Sequence, residues 1–195
     1  MIPQSPSPLP SQAIGDVVPD LSLPTLEDGR PRSLEACLAG RRGAVVLFWS
    51  SVCSHCVRYD AYFNQFEAAH PELAFYAVAT RQGETVDDIR KTAADRGLRF
   101  PLYHSPDAAA ARAYLAQQTP RVYLVDAGRV LRYRGAVDNF KYPEDPEYQP
   151  YLEPAIASFL AGRPIERPET ASFGCAVSSV YYVLPTMIKR SAPHE

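Results

Sequence analysis

The stretch Ala44-Val45-Val46-Leu47-Phe48-Trp49-Ser50-Ser51-Val52-Cys53-Ser54-His55-Cys56 decides the fold. Its first six residues are an unbroken apolar run bounded by Gly43 and Ser50, the pattern of a central strand covered on both faces. Two cysteines follow where the chain must turn, and Val57, Phe63, Phe66 and Ala69 then recur near helical spacing up to His70-Pro71. A strand, a dithiol and one helix over residues 53–69 are expected in that order. A thiolate at a helix N-terminus meets unpaired backbone N–H groups and the positive end of the helix dipole, which lower its pKa. Cys53 is therefore the expected nucleophile. Cys56, one turn on and more enclosed, is the expected resolving thiol, able to release a mixed disulfide formed on Cys53.

Outward from this stretch the pattern stays that of alternating elements. Residues 1–13 hold four prolines and three serines and read as a disordered tail or linker. Residues 20–24 and 31–34 flank the turn residues Glu27-Asp28-Gly29-Arg30, which predicts an N-terminal hairpin, with Ser33 capping a short helix through Leu38. Residues 73–79 repeat the buried-strand pattern, and Thr85-Val86-Asp87-Asp88 opens a helix that Gly97 closes. A short strand is expected over 100–103, an alanine-rich helix over 105–117, an antiparallel pair over 121–126 and 130–134, and a last helix over 152–160. This order predicts an α/β domain over residues 14–162 with a central mixed sheet, followed by an extension over 163–195.

Composition narrows the function. The chain has 195 residues, is 46% hydrophobic, and carries a net charge of -2, so it can fill a core and offers no basic footprint for nucleic acid. Its apolar runs are far shorter than a transmembrane segment. Four cysteines are too few for a disulfide-stapled scaffold. A bare CxxC also serves zinc sites, yet no second CxxC, CxxH or HxxxH is present. Covalent haem needs His after the second cysteine, where Val57 stands. A redox pair and two structural thiols are the readings left, and the strand–CxxC–helix order favours the redox pair.

Residues 48–56, Phe-Trp-Ser-Ser-Val-Cys-Ser-His-Cys, resemble the FW-x-x-W-C-x-x-C segment of the thioredoxin superfamily. Thr119-Pro120, just before the strand at 121–126, resembles that family's cis-proline loop, and Asp16-x-x-Pro19-Asp20-Leu21 with the N-terminal hairpin resembles its TlpA-like and redoxin (alkyl hydroperoxide reductase/thiol-specific antioxidant) branch. The resemblance spans about residues 14–160. It implies a thioredoxin-like fold, a thiol–disulfide oxidoreductase with a role in redox homeostasis, and partners that are protein dithiols or disulfides. Catalysis would rest on Cys53 and Cys56, supported by His55, Trp49, Thr119 and Pro120, with Pro120 lying against the dithiol. It implies no organic cofactor and no metal.

The sequence also departs from that pattern. Val52 replaces the usual Trp, and Leu47 stands where thioredoxins place a buried Asp that assists proton transfer. Asp60 is a candidate substitute base, against the plainer reading of an exposed helix carboxylate; Tyr59 occupies a place that is often acidic in TlpA-like relatives. His55 resembles the His of strongly oxidising periplasmic Cys-Pro-His-Cys enzymes, which implies a raised reduction potential. Two alternatives stay open. One is a thiol peroxidase: peroxiredoxins use Pro-x-x-x-Thr/Ser-x-x-Cys, and here Ser50 fits while Val46 does not. The other is a non-catalytic binding or metal-handling module on the same scaffold.

Cys37 is expected to be a buried structural thiol. Cys175 lies in Thr170-Ala171-Ser172-Phe173-Gly174-Cys175, which resembles a Thr-x-x-x-Gly-Cys segment of some redoxin-branch relatives, and is a candidate third redox thiol, ligand or packed residue. Residues 177–188 are apolar and β-prone, an expected edge strand or subunit contact. His70 and His104 read as incidental, and residues 142–151 as a packed, Pro-rich excursion, with a tyrosine-lined substrate surface as the alternative. The resemblance favours a periplasmic or extracytoplasmic location; a cytoplasmic one is the alternative, since no basic start followed by an apolar stretch is visible.

Overall fold

A computed structural model describes residues 13–178, so all but Ala13 of the expected tail at 1–13 and most of the apolar stretch 177–188 lie outside the described residues. The N-terminal hairpin forms from β1 (Ser22–Pro24) and β2 (Pro31–Ser33), and Ser33 caps α1 (Leu34–Leu38) by accepting from the Ala36 N–H at 2.9 Å. The decisive apolar run is β3 (Gly43–Trp49), buried along its whole length.

Beyond the dithiol the chain does not make one helix. It forms three single turns, α2 (Ser54–Val57), α3 (Asp60–Asn64) and α4 (Phe66–Ala69), separated where Tyr59 and Gln65 adopt φ near -106° and -107° with ψ near zero. Each break lets an aromatic side chain reach its own site. The Tyr59 hydroxyl meets the buried Asp138 at 2.7 Å, while Phe63 and Phe66 both pack on Phe75 at 5.0 Å between centroids. Packing of large rings outweighs a continuous helical ladder here.

Next come β4 (Leu73–Ala79), α5 (Val86–Asp95) and β5 (Leu102–His104), with Thr85 capping α5 through the Asp88 N–H at 3.1 Å. The expected helix over 105–117 is mostly absent. A 3-10 turn at Pro106–Ala108 leads into the five-residue α6 (Ala109–Ala113), and Asp107 and Ala108 take φ of 57° and 56°. Ser105 caps the later Ala110 N–H at 2.9 Å, which starts the helix several residues late. Then follow β6 (Gln118–Thr119), β7 (Arg121–Asp126), β8 (Leu131–Gly135), α7 (Leu152–Leu160) and β9 (Cys175–Ala176).

The main sheet has the order β5-β4-β3-β7-β8. β3, β4 and β5 run parallel, whereas β7 is antiparallel to β3 and β8 antiparallel to β7, as expected for a mixed sheet with a late hairpin. Strand alternation sends Val45, Leu47 and Trp49 to one core with Phe63, Phe66 and Phe75, and Ala44, Val46 and Phe48 to another with Tyr76, Tyr114 and Tyr123. The first core contains Cys53 and Cys56. A separate two-stranded ribbon pairs β6 with β9 antiparallel, just ahead of the stretch expected as an edge strand.

Candidate active site

Cys53 caps the N-terminus of α2 just beyond the buried end of β3, and both thiols are buried, with 1% and 2% exposure for Cys53 and Cys56. With four residues, α2 is too short for its dipole to dominate the Cys53 environment. Specific donors do so instead. The Cys53 thiol is pulled down to about 4, first by the Cys56 S–H, then by the Cys175 side chain and Thr119, against the opposing effect of burial. Protonated, Cys53 donates to the Thr119 carbonyl oxygen at 3.0 Å. Ionised, it turns to donors, and the buried Thr119 hydroxyl has no other protein partner among the described residues. Cys56 moves the other way: burial pushes its thiol well above the ordinary range, with the adjacent Cys53 adding to the shift. The two cysteines thus present opposite acidities, one ionised and one protonated at neutral pH.

The Thr119–Pro120 peptide bond is cis, and Thr119 and Pro120 are buried. The Thr119 carbonyl touches the Cys53 sulfur, so the ribbon strand before the proline lies directly on the dithiol. Trp49 is 1% exposed and belongs to the core that carries the dithiol, with the Arg96 guanidinium 5.1 Å from its ring. Asp60 holds that guanidinium through two hydrogen bonds at 2.7 and 2.5 Å. It is therefore neither a free base nor an exposed carboxylate but the anchor of the cation covering Trp49. His55 is exposed and packs edge-on to Phe140 at 5.2 Å, outside the set of groups that stabilise the Cys53 thiolate. Val52 is exposed beside the nucleophile, and Leu47 is fully buried among apolar neighbours.

Two features escaped the sequence. Glu84, between β4 and α5, gathers the turn ahead of Cys53 onto one oxygen, accepting from the Ser50 hydroxyl at 2.6 Å, the Ser51 N–H at 2.7 Å, the Ser51 hydroxyl at 2.9 Å and the Val52 N–H at 3.4 Å. Nothing in the sequence distinguishes it from other loop carboxylates. The second is Asp138, 5% exposed, which accepts from the Tyr59 hydroxyl at 2.7 Å and the Phe140 N–H at 2.8 Å and sits 3.5 Å from Arg58. It fixes the excursion at residues 140–150 beside α2, where Arg58, Tyr59, Tyr62, Asp138, Tyr142 and Tyr148 line much of a cleft of about 330 Å³.

Cys175 is half-buried and pairs in register with Thr119, the residue whose carbonyl meets the Cys53 sulfur, and burial together with Cys53 pushes its thiol up. Cys37 is only half-buried and lies with the opposite core, 3.4 Å from the Tyr103 hydroxyl. His70 is not incidental: its Nε2 lies 2.9 Å from Glu153, tying α4 to α7. Among the described residues no cluster of three or more His, Cys, Asp or Glu could hold a metal, and no helix is long and apolar enough to cross a membrane.

Comparison with known proteins places this geometry. The AhpC/TSA family matches residues 14–134. An uncharacterized conserved protein from Geobacillus kaustophilus superposes with a TM-score of 0.75 at 21% identity, covering 86% of this chain and 93% of its own. A hypothetical protein from Sinorhizobium meliloti 1021 gives 0.74 at 24% identity, covering 86% and 95%. A chain provisionally named thiol:disulfide interchange protein DsbE, from Chlorobium tepidum, gives 0.63 at 24% identity, covering 77% and 99%. These likenesses show the thioredoxin-like fold. The curated proteins give no match.

Proposed function

The chain belongs to the AhpC/TSA family, and from that premise we propose that it is a thiol–disulfide oxidoreductase whose redox pair is Cys53 and Cys56. The observation that carries this reading is the arrangement of two buried thiols at the start of α2 directly beyond β3, with the Thr119 carbonyl ahead of Pro120 only 3.0 Å from the Cys53 sulfur; the lowered Cys53 and raised Cys56 acidities agree with it. The Cys53 thiolate attacks a partner disulfide, forming a Cys53–partner bond and expelling the partner's second sulfur as a thiolate. The Cys56 sulfur then attacks Cys53, closing the Cys53–Cys56 disulfide and releasing the partner's remaining sulfur. With Leu47 offering no carboxylate, the proton of Cys56 passes to the departing partner thiolate. Run backwards, the same steps oxidise a partner dithiol. The name of the Chlorobium tepidum neighbour points the same way.

A stabilised Cys53 thiolate favours the reduced dithiol, which places the couple above the roughly -270 mV of thioredoxin. The peroxidase reading loses ground on two contacts: the Ser50 hydroxyl is engaged by Glu84, and Val46 packs in the core opposite the dithiol. Insulin-disulfide reduction run beside peroxide consumption tests the assignment. Insulin reduction that disappears in Cys53→Ser, with a chain carrying both Cys56→Ser and Cys175→Ser holding partners as mixed disulfides, supports it. Peroxide turnover without disulfide reduction overturns it.

A further inference from the structure

We propose that Cys175 is a third exchanging thiol of this site, carried on an internal strand that docks where Cys53 meets its partners, so that Cys53 closes disulfides with either Cys56 or Cys175. The inference rests on Cys53 being the nucleophile, as proposed above.

The geometry is that of a built-in partner strand. β9 pairs antiparallel with β6, with Cys175 opposite Thr119 and Ala176 opposite Gln118, and the carbonyl of that same Thr119 lies 3.0 Å from the Cys53 sulfur. The ladder continues through the Val177 N–H, which donates to the Gln117 carbonyl at 3.0 Å, and Val177 is itself buried. The Gln82 N–H donates to the Val177 carbonyl at 3.0 Å, so both sides of the strand end are held. Gly174 permits the approach: a Cβ there would lie 2.0 Å from the Thr119 carbonyl oxygen. Docking to that closeness sets Cys175 opposite the residue whose carbonyl touches the Cys53 sulfur, where Cys53 is only 1% exposed. A thiol held in register against a low-pKa thiolate exchanges at the high effective concentration of an intramolecular reaction.

The exchange balances internally. In the oxidised protein the Cys175 sulfur attacks Cys53, the Cys53–Cys56 bond breaks, the Cys53–Cys175 bond forms, and Cys56 leaves with the proton Cys175 gave up. No external oxidant is consumed.

The test uses the full chain carrying Cys56→Ser, oxidised glutathione as the probe, acid quenching, alkylation and tryptic mass mapping. The Cys53 thiolate takes one glutathione and expels the other as its thiol. Cys175 then attacks Cys53, releases the second glutathione, and leaves a peptide carrying Cys53 joined to one carrying Cys175. Adding Gly174→Ala, which removes no thiol but blocks docking, is expected to slow that second release by at least about tenfold. Glutathione retained on Cys53 with Cys175 still free to alkylate overturns the proposal, as does a release rate that Gly174→Ala leaves unchanged. Should Cys56→Ser fail to fold, the wild-type chain held in a glutathione redox buffer decides: a measurable Cys53–Cys175 fraction supports the proposal and its absence overturns it. The dithiol assignment fails separately, on a wild-type chain that forms no Cys53–Cys56 bond.

Discussion

The two faces of the sheet are built from the same strands but treat polar groups differently next to Cys53. On the face of Phe48 and Val46, tyrosine hydroxyls are spent on structure: Tyr76 donates to the Leu21 and Arg32 carbonyls, Tyr114 to the Pro19 carbonyl and Tyr123 to the Tyr114 carbonyl. Around the dithiol, Trp49 Nε1, the Thr119 hydroxyl and one Glu84 oxygen are buried with no protein partner among the described residues. A satisfied polar network specifies a core, whereas an unspent donor beside a sulfur, here the Thr119 hydroxyl, remains available to an ion that comes and goes. The dithiol face spends tyrosine hydroxyls too, Tyr59 on Asp138 and Tyr133 on the Ala136 carbonyl, so the faces differ only next to Cys53.

Substitutions that act on one face alone break or sharpen this contrast. Phe48→Ala is expected to cost about 3–5 kcal/mol in urea unfolding, because Phe48 is fully buried against Tyr114 and Tyr123, while the Cys53 titration stays where it is. A Cys53 midpoint that moved with it would show the two faces to be one coupled unit. Glu84→Ala removes a carboxylate and frees four donors ahead of Cys53, so it is expected to cost about 1–3 kcal/mol and to lower the Cys53 midpoint, read from iodoacetamide rates against pH. An unchanged midpoint would reduce Glu84 to a purely structural clasp. Thr119→Val removes one donor to the thiolate and is expected to raise the midpoint by less than about one unit, near 1.4 kcal/mol, with little loss of stability. His55→Ala has the smallest expected effect, a couple more reducing by less than about 30 mV, since His55 is exposed. A variant no more reducing than wild type would remove His55 from the site.

The fold was legible because its signals are local and strong. Buried strands at 43–49 and 73–79, the Thr85 cap and the hairpin turn at 127–129 all announce themselves within a few residues. The same local rules failed at 53–69 and 105–117, where burial of Tyr59, Phe63 and Phe66, and a cap delayed to Ala110, override helical periodicity and alanine content. The dithiol and its proline were legible as a motif, but the cause of the Cys53 acidity was not. Helix position suggested a dipole; the structure supplies Cys56, Cys175 and Thr119, the last two brought in from 66 residues or more along the chain. Glu84 and the β6–β9 ribbon are long-range pairings that no short window encodes.

The central claim concerns the charge on Cys53 in the reduced protein. Its folded pKa lies below the unfolded value of about 8.5, so the thiolate stabilises the reduced fold fully above that pH, and this contribution is lost as pH falls through about 4. Thiolate absorbance of the reduced full chain, titrated with pH against Cys53→Ser, reads this directly. A Cys53 midpoint near about 4, with Cys56 still protonated at neutral pH, is the predicted result. A Cys53 midpoint at the ordinary value of about 8.5 would contradict it.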